Sequence, residues 1–510
     1  MKASQRVLVN TIAQYSRTII NMLLSLYTVR VVLASLGQSD YGIYTLIAGV
    51  VAMLGFITNS LVLTTQRFVS FYQGKGNIEK LKEVVNNSIV IHIIFGVLVV
   101  IILEAISPLL FNGFLNIPAG RESAAIVVYH VVALMLLVTF LSSPYRALLV
   151  SRENIVYISI VDILDGILKV VLVIIMAHSD ADKLIFYCLI MLGLRMFNFL
   201  AFAAYGYLKY EECVWPNFRR LNKSYIKEIS AFAGWKIYGT ACTVGRDQGV
   251  SIVLNRVFGT IMNAGWGIGA QVSGYTNFLS SAIVNSMAPQ IVKAEGCGDR
   301  QHSIWLSNVL SKLVFFLMSV IGIPMMFEVN EILDIWLDNP PDNAGLFSVM
   351  YILALLFDSM TIGLTHINNA IGNIGKYIRV LNTPKLFTYV FVIVLLKLNA
   401  PLYSVCIVYV LIEAISAFVR IPMIHKQSGL DVPSFIKDVL LMELIPAMLC
   451  VGSCLTCTLL FSFQFRFVVT FVVSSIIYAI SMYYLGLTKK ERSIVLSLTG
   501  DILRKISLKK

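Results

Sequence analysis

The stretch LGQSDYGIYTLIAGVVAMLGF at residues 36–56 aligns without a gap on FGTIMNAGWGIGAQVSGYTNF at 258–278 when the sequence is shifted by 222 residues. Gly37 then falls on Gly259, and small and apolar residues coincide along both stretches. Self-similarity at a fixed offset indicates a structural unit that occurs twice in one chain. We therefore expect two related halves.

A short motif further along lies in the same register. GKGN at 74–77 falls on GCGD at 296–299, and each follows the second long apolar run of its half. Glycine in a short polar segment is typical of a turn. The offset therefore extends through a second helix and into the connection after it.

The composition indicates that the solvent around these halves is lipid. Of 510 residues, 58% are hydrophobic and only 13% are charged, with a mean hydropathy of +0.81. A soluble domain has roughly 45–50% apolar and about 25% charged residues. So few polar residues could not cover a water-soluble core of this size. The sequence predicts an all-α integral membrane protein.

Apolar runs of about 20 residues are long enough to cross a bilayer as helices. The sequence contains fourteen such runs, of which the eleventh is short and begins at a proline. They are 8–34, 41–64, 88–109, 123–145, 156–178, 184–208, 229–257, 264–288, 306–328, 346–370, 384–398, 402–424, 439–461 and 467–487.

The distribution of Lys and Arg predicts the orientation of these spans. With the N-terminus inside, we assign 28 Lys and Arg to cytoplasmic segments and 4 to external ones, and both termini are cytoplasmic. The cytoplasmic segments include 146–155, 371–385 and 420–438. Six spans separate the two copies of the repeat, so the copies have the same orientation in the membrane. The expected architecture is two parallel six-helix repeats followed by two C-terminal helices.

This architecture predicts four regions of the chain. They are an N-terminal lobe at 1–210, a cytoplasmic linker at 211–228, a C-terminal lobe at 229–425, and the last two helices with a basic cytoplasmic tail at 426–510.

Several functions lack a sequence signature. The net charge of +12 is spread between apolar runs, which argues against nucleic acid as a partner. There is no Walker A sequence, no HExxH or GxSxG motif and no metal-spaced histidine cluster. Cys454 and Cys457 lie in an apolar run without a second pair, so we interpret them as packing residues. We expect no catalytic residues, no metal site and no cofactor, although H+ or Na+ could be coupled to transport.

A polar stripe follows one side of the first span. Its members recur every three or four residues, which places them on one face of a helix. They are Asn10, Gln14, Arg17, Asn21, Ser25 and Thr28. The seventh span carries a similar stripe, formed by Lys236, Thr240, Thr243, Asp247 and Ser251.

Two interpretations of these stripes stay open. Polar side chains can join neighbouring helices by hydrogen bonds. Alternatively, both stripes line one aqueous cavity, which we favour because Arg17 and Lys236 would each cost about 2.5–3.5 kcal/mol near mid-bilayer unless solvated or paired. Arg246 points about 100° away from Asp247, as neighbouring residues on a helix do, and could reach the cavity edge or a neighbouring helix.

Acidic residues within the spans are candidates for ion coupling. Asp162 and Asp165 share one face of the fifth span with Lys169, where Asp165 and Lys169 could form an i,i+4 pair. Asp358 and Glu413 stand alone in their spans. Together with Asp247, each is either a proton or cation site or the partner of a cation that the sequence does not identify.

The segment NRVFGTIMNAGWGIGAQV at 255–272, with APQIVK at 288–293, resembles the second-half signature of polysaccharide flippases of the O-antigen and capsule type. The matching residues are Asn255, Phe258, Gly259, Asn263, Ala264, Gly267, Ile268, Gln271, Val272, Pro289, Gln290, Ile291 and Lys293. The resemblance places the chain in the superfamily that also contains multidrug exporters and implies a MATE-like, two-lobed fold.

The resemblance also implies a function. It predicts a flippase of the bacterial inner membrane that moves a polyprenyl-pyrophosphate-linked oligosaccharide to the outer leaflet by alternating access, for lipopolysaccharide or other surface-polysaccharide biosynthesis. Arg17 and Lys236 would hold the phosphate head, and Asn10, Gln14, Asn21, Ser25, Thr240, Thr243 and Arg246 would line the cavity. Membrane lipid and other polysaccharide-assembly proteins are the further partners expected.

Two other functions remain as alternatives. A cation-coupled multidrug exporter of the same fold would require Asp247, Asp358 or Glu413. A membrane-embedded glycan polymerase or acyltransferase would require a catalytic cluster that the sequence does not display.

Overall fold

The computed structural model of the chain describes residues 3–493 except 53, 112–116, 118–119, 220, 259, 338–339, 462, 464 and 489–490. Within these residues the chain is 88% helix and has no strand. The predicted all-helical fold class is therefore confirmed.

Six helices form the N-terminal half. They are α1 (Ala3–Ala52), α2 (Gly55–Gly74), α3 (Ile78–Leu109), α4 (Glu122–Ser151), α5 (Ile155–Ala177) and α6 (Lys183–Lys209). The first is kinked at Gly37, whose φ of 76° is a left-handed conformation that costs glycine little. The kink divides the first predicted span from the second.

Eight helices form the C-terminal half. They are α7 (Lys223–Phe258), α8 (Thr260–Gly296), α9 (Arg300–Leu337), α10 (Ala344–Met360), α11 (Ile362–Ile371), α12 (Gly375–Leu386), α13 (Thr388–Lys397) and α14 (Tyr403–Ser428). The remaining elements are a short α15 (Val432–Phe435), a π-helical segment (Ile436–Leu441), α16 (Met442–Leu460), α17 (Arg466–Ser481) and a second π-helical segment (Met482–Gly486).

The helix boundaries repeat at the offset seen in the sequence. The ends of α2 and α8, at Gly74 and Gly296, are 222 residues apart. The starts of α3 and α9, at Ile78 and Arg300, have the same separation, and so do the starts of α4 and α10. The glycines between these helices, Gly76 and Gly298, both have positive φ. The repeat is therefore structural, although Gly259 lies outside the described residues.

The two halves differ in where their helices break. The counterpart of α4 is divided into α10 and α11, which meet at Thr361 with a bend of 50°. The counterpart of α5 is divided into α12 and α13 near Phe387. In the N-terminal half the break comes between α1 and α2 instead, where the corresponding part of α8 is continuous.

Eight helices of the described chain are long and apolar enough to cross a membrane, or nine if the bent pair α10–α11 is one span. The predicted spans 8–34, 41–64, 156–178, 229–257 and 264–288 lie on helices outside this set. Charged residues such as Asp162, Asp165 and Lys169 lower the apolar character of these helices. The chain is a multi-pass membrane protein, and the count of fourteen spans stays a prediction.

The chain divides into two compact units. The N-unit comprises residues 6–237 with 296–298, and the C-unit comprises 238–295 and 299–510 with the first five residues. The division falls inside α7, and the segment predicted as a linker, 211–228, packs within the N-unit. In that segment Asn217 N donates to Asn86 Oδ1 over 2.7 Å, and Arg152 Nε donates to Glu212 Oε1 over 2.6 Å.

Segments of the N-unit that were assigned to the same membrane side lie together. Arg121 Nε donates to Asp40 Oδ1 over 2.9 Å, and Arg121 Nη1 donates to Asp182 Oδ2 over 2.6 Å. This ion cluster joins three connections assigned to the external side. The hydrogen bonds to Arg121 lower the pKa of Asp182, and the two aspartates raise the pKa of Arg121.

Candidate substrate site

One carboxylate joins two arginines in the N-unit. Arg17 Nη1 on α1 donates to Asp162 Oδ2 on α5 over 2.7 Å. Arg146 on α4 donates to both oxygens of the same carboxylate, over 2.9 and 3.1 Å. The side chains are 17% exposed for Arg17, 16% for Asp162 and 38% for Arg146. The cluster therefore carries one net positive charge and is partly accessible.

Arg146 was not among the predicted site residues. We counted it in a cytoplasmic segment at 146–155, and its side chain reaches Asp162 because α4 continues to Ser151. The apolar run ends before the helix does, so Arg146 lies in the helix and not in the connection after it. Arg146 lies sixteen residues from its partner, a distance at which no helical periodicity connects them.

The remaining polar residues of α1 have different surroundings. Asn10 is buried and donates to Glu153 O over 2.8 Å, so it holds the connection between α4 and α5. Gln14 is buried too, whereas Ser25 is exposed. A Cβ placed on Gly166 would lie 2.8 Å from Asn21 Oδ1, which shows that Asn21 packs closely against α5. Part of the predicted stripe therefore serves contacts between helices.

The polar residues of α7 belong to both units. Lys236 Nζ, in the N-unit, lies 5.8 Å from the centroid of the Phe232 ring. Thr240 and Thr243, in the C-unit, are partly buried, and the Thr243 hydroxyl donates to Thr240 O over 2.8 Å.

A network of buried charges occupies the C-unit. Arg246 forms an ion pair with Glu413, and its Nε donates to Asp247 Oδ1 over 2.9 Å. Lys385 Nζ donates to Glu413 Oε2 over 2.6 Å. Tyr409 donates to Asp247 Oδ1 over 3.0 Å, and its ring lies 4.1 Å below the Arg246 guanidinium. Glu413 is thus shared by two cations.

Asp358 belongs to a neighbouring pair in the same unit. Arg420 forms an ion pair with the Asp358 carboxylate and donates to the backbone oxygen of Asp358 over 3.2 Å. The five charged residues Arg246, Asp247, Lys385, Glu413 and Arg420 therefore make, with Asp358, a group of three cations and three anions. The carboxylates of Asp358 and Glu413, which stand alone in the sequence, have cationic partners.

Two of those partners were not among the predicted site residues. Lys385 and Arg420 were counted in cytoplasmic segments at 371–385 and 420–438, and the structure buries both side chains within helices. A buried cation is stable where a carboxylate compensates its charge. The sequence places Lys385 and Glu413 on different helices, so nothing in the local pattern indicated the pair.

Asp165 has a neutral partner. It accepts a hydrogen bond of 2.7 Å from Asn198 Nδ2 on α6. Within the described residues no ion pair joins it to Lys169, the predicted i,i+4 partner, although Lys169 and Arg195 interact with it electrostatically.

A cavity of about 450 Å³ adjoins the charge network within the C-unit. It is lined by Asp247, Gln248, Ser251, Trp266, Asn277 and Tyr351, among others. The ring centroids of Trp266 and Tyr351 are 4.9 Å apart, and the indole is buried. The cavity thus presents aromatic rings, amides, hydroxyls and one carboxylate.

A second, more open groove of about 670 Å³ follows one face of α12 and α13 in the C-unit. Lys376 and Arg379 lie at its start, and Val380, Phe387 and Phe391 continue it. The groove therefore combines two cations with an apolar track.

Solved structures with this fold are transporters of the MOP superfamily. A MOP superfamily transporter from Pyrococcus furiosus aligns with a TM-score of 0.70 and 14% identity, over 86% of this chain and 97% of that protein. An outward-facing multidrug resistance MATE family transporter gives 0.71 and 13%, over 85% and 97%. A MATE transporter in a bent conformation gives 0.71 and 15%, over 84% and 98%.

No protein-family model and no curated protein matches the sequence. Structural likeness at such low identity establishes the fold, since one fold can serve different functions. The predicted MATE-like architecture is confirmed, and the function has to be argued from the site residues.

Proposed function

We propose that this protein is a transporter that flips a polyprenyl-pyrophosphate-linked oligosaccharide from the inner to the outer leaflet of a bacterial cytoplasmic membrane. The observation that carries the proposal is the cluster of Arg17, Asp162 and Arg146. Two guanidinium groups share one carboxylate, so one positive charge is left for an anionic ligand. Guanidinium groups bind phosphate oxygens by paired, charge-assisted hydrogen bonds.

The C-unit, taken by itself, carries groups whose chemistry suits a lipid-linked glycan. Rings such as Trp266 and Tyr351 provide flat apolar faces, and Gln248 and Asn277 provide amide donors and acceptors for sugar hydroxyls. The groove that begins at Lys376 and Arg379 has the chemistry of a site for a phosphate attached to an apolar chain. These features support a lipid-linked glycan as cargo.

A cation-coupled multidrug exporter is the second candidate, because of Asp247. Its side chain is 38% exposed and lines the cavity, so a cationic ligand could reach it. Against this, Asp247 already accepts hydrogen bonds from Arg246 and Tyr409, and the other two carboxylates are ion-paired. Net neutrality in this network favours a structural role over the capture of a cation.

Further parts of the proposal concern the setting of the protein. Both termini are cytoplasmic, the membrane is the bacterial inner membrane, and other polysaccharide-assembly proteins supply and receive the glycan. H+ or Na+ coupling belongs to the proposal as well. The reaction makes and breaks no covalent bond, so the protein is a transporter and not an enzyme.

Glycan export tests the proposal directly. Arg17→Ala and Arg146→Ala should each lower the amount of surface polysaccharide in cells that lack their own copy of the gene, at equal levels of inserted protein. Arg256→Ala, which removes an exposed cation elsewhere in a helix, is the matched control and should export normally. Normal export by both cluster variants would remove this cluster from the site.

Uptake of cationic dyes into inverted vesicles separates the second candidate. A flippase should give no dye accumulation above empty vesicles. Accumulation that Asp247→Asn abolishes would establish the exporter instead.

A further inference from the structure

A buried carboxylate without a hydrogen-bond partner lies in the last two helices. Glu443 is in the first turn of α16 and its exposed fraction is 0%. Within the described residues neither of its carboxyl oxygens has a hydrogen-bond partner. This residue takes no part in the sites described above.

The cation next to Glu443 already has another partner. Lys312 on α9 is buried, and its ammonium lies 3.8 Å from the sulfur of Met442, the residue before Glu443. It donates to Glu491 Oε2 over 2.8 Å and to Oε1 over 3.2 Å. Glu491 is held in place because its Oε2 also accepts a hydrogen bond of 2.8 Å from Thr488 N. Glu443 and Glu491 therefore compete for the ammonium of Lys312, and Glu491 holds it.

The other groups around Glu443 do not supply a second cation. Lys312 is the charged side chain of α9 that interacts with it, and α17 contributes the buried phenol of Tyr478. The π-helical segment before α16 carries Lys437 and Asp438, and the one after α17 carries Tyr483 and Tyr484. Among described residues no hydrogen bond or ion pair joins these four to Glu443.

Burial without a partner decides the charge of such a group. Transfer of a bare carboxylate to apolar surroundings costs several kcal/mol or more, and buried acids avoid this cost by holding a proton. The neutral acid is therefore the form of Glu443 that fits these surroundings. If Lys312 were released by Glu491, the same carboxyl could lose its proton to water and pair with the ammonium.

We propose that Glu443 is a proton-binding site and that the ion pair between Glu491 and Lys312 controls it. With Glu491 on Lys312, Glu443 carries the proton. When Glu491 leaves, Lys312 pairs with Glu443, which releases one proton to water and becomes a carboxylate. This site does not depend on the identity of the cargo.

Infrared spectroscopy of the full-length protein in nanodiscs tests both steps. The carbonyl band of a protonated carboxylic acid is separate from the bands of a carboxylate. The difference between wild type and Glu443→Gln at pH 7.5 should contain one acid band, and Asp438→Asn, the control on the neighbouring turn, should leave that band unchanged. The absence of an acid band from the difference would overturn the proton site.

Glu491→Gln tests the control step without altering Glu443. Release of Lys312 should convert Glu443 to the carboxylate, so the acid band at pH 7.5 should be lost. Lys312→Met should keep the band, because no ammonium remains for Glu443 to join. A full acid band in Glu491→Gln would disprove the control of Glu443 by Glu491. Should Glu443→Gln fail to fold, loss of the band between wild type and Glu491→Gln still detects the proton.

Discussion

The two halves of the chain share a set of helix boundaries but not a set of charges. Arg17 and Asp162 in the N-terminal half correspond, at the 222-residue offset, to Gly239 and Pro384. Arg246 and Glu413 in the C-terminal half correspond to Leu24 and Met191. At these positions, ion-paired residues in one half correspond to uncharged residues in the other.

The accessibility of the two charge groups differs as well. The N-unit cluster is partly exposed and has an excess positive charge, whereas Arg246, Lys385 and Glu413 in the C-unit are almost fully buried. An accessible, unbalanced cluster can bind a ligand, whereas a buried, balanced network stabilises the packing of helices. Two halves with the same helical scaffold can therefore use their polar residues for different roles.

The largest effect should come from breaking the balanced network. Glu413→Ala removes the carboxylate that Arg246 and Lys385 share and leaves both cations buried. We expect a loss of about 3–5 kcal/mol of stability. Thermal unfolding of the purified protein in detergent would measure it. Glu413→Gln combined with Lys385→Met should lose less than the sum of the two single variants, because both members of one pair are removed. A stability loss for Glu413→Ala no greater than that of Asp162→Ala would contradict the division of roles.

The next effect concerns the accessible cluster. Under the proposed function, Arg17→Ala would remove one charge-assisted contact to a phosphate, so glycan export should fall about tenfold or more while stability changes less. Asp162→Asn leaves both arginines and increases the net positive charge, and we expect it to retain export. Titration of the purified variants with a short-chain polyprenyl pyrophosphate would measure the change in Kd. Equal affinities for wild type and Arg17→Ala would contradict the assignment of the N-unit cluster as a ligand site.

A glycine in each half allows a matched packing test. A Cβ on Gly166 would lie 2.8 Å from Asn21 Oδ1, and a Cβ on Gly239 would lie 2.8 Å from Asn382 Nδ2. Gly166→Ala and Gly239→Ala should each cost about 1–3 kcal/mol, because the neighbouring amide must move. Gly193→Ala, where nothing lies within 4 Å, should be neutral or stabilising. If only one of the two variants, Gly166→Ala or Gly239→Ala, lowered the unfolding midpoint, the two helix contacts would not be equivalent.

The smallest effect belongs to the partly exposed ion cluster of Arg121. Its hydrogen bonds lower the pKa of Asp182, so the pair contributes stability above the unfolded pKa of about 4, and this contribution is lost as the pH falls through the folded pKa. Because the groups are partly exposed and solvent screens their interaction, Arg121→Ala should cost below about 1 kcal/mol at pH 7. The difference in melting temperature between wild type and variant should shrink below pH 4. A difference that grows on acidification would contradict this assignment.

The repeat could be predicted from the sequence because helix ends depend on local signals. Gly37, Gly76 and Gly298 terminate or redirect helices by their own backbone conformation. Gly76 and Gly298 are 222 residues apart, and in the sequence Gly37 has a counterpart at Gly259. The orientation of the polar stripe on α1 also follows from the helical period. Such features need no knowledge of distant residues.

The pairing of charges could not be predicted in the same way. Arg146, Lys385 and Arg420 look like loop or interfacial cations because each stands at the edge of an apolar run. Their partners are on other helices, as with Lys385 and Glu413, which are 28 residues apart. Only the packing of helices determines which carboxylate a cation meets, and periodicity along one helix carries no information on it.

The bend at Thr361 has a consequence for how the C-terminal half could change shape. Where a helix breaks inside a membrane, the backbone oxygens it frees need other donors. Arg420 supplies one, since it donates to Asp358 O and to the Thr361 hydroxyl while it neutralises the Asp358 carboxylate. Arg420 therefore links α14 to both sides of the bend through three oxygens. A change in the angle between α10 and α11 would change the contacts of this guanidinium, so the bend and the position of α14 are coupled.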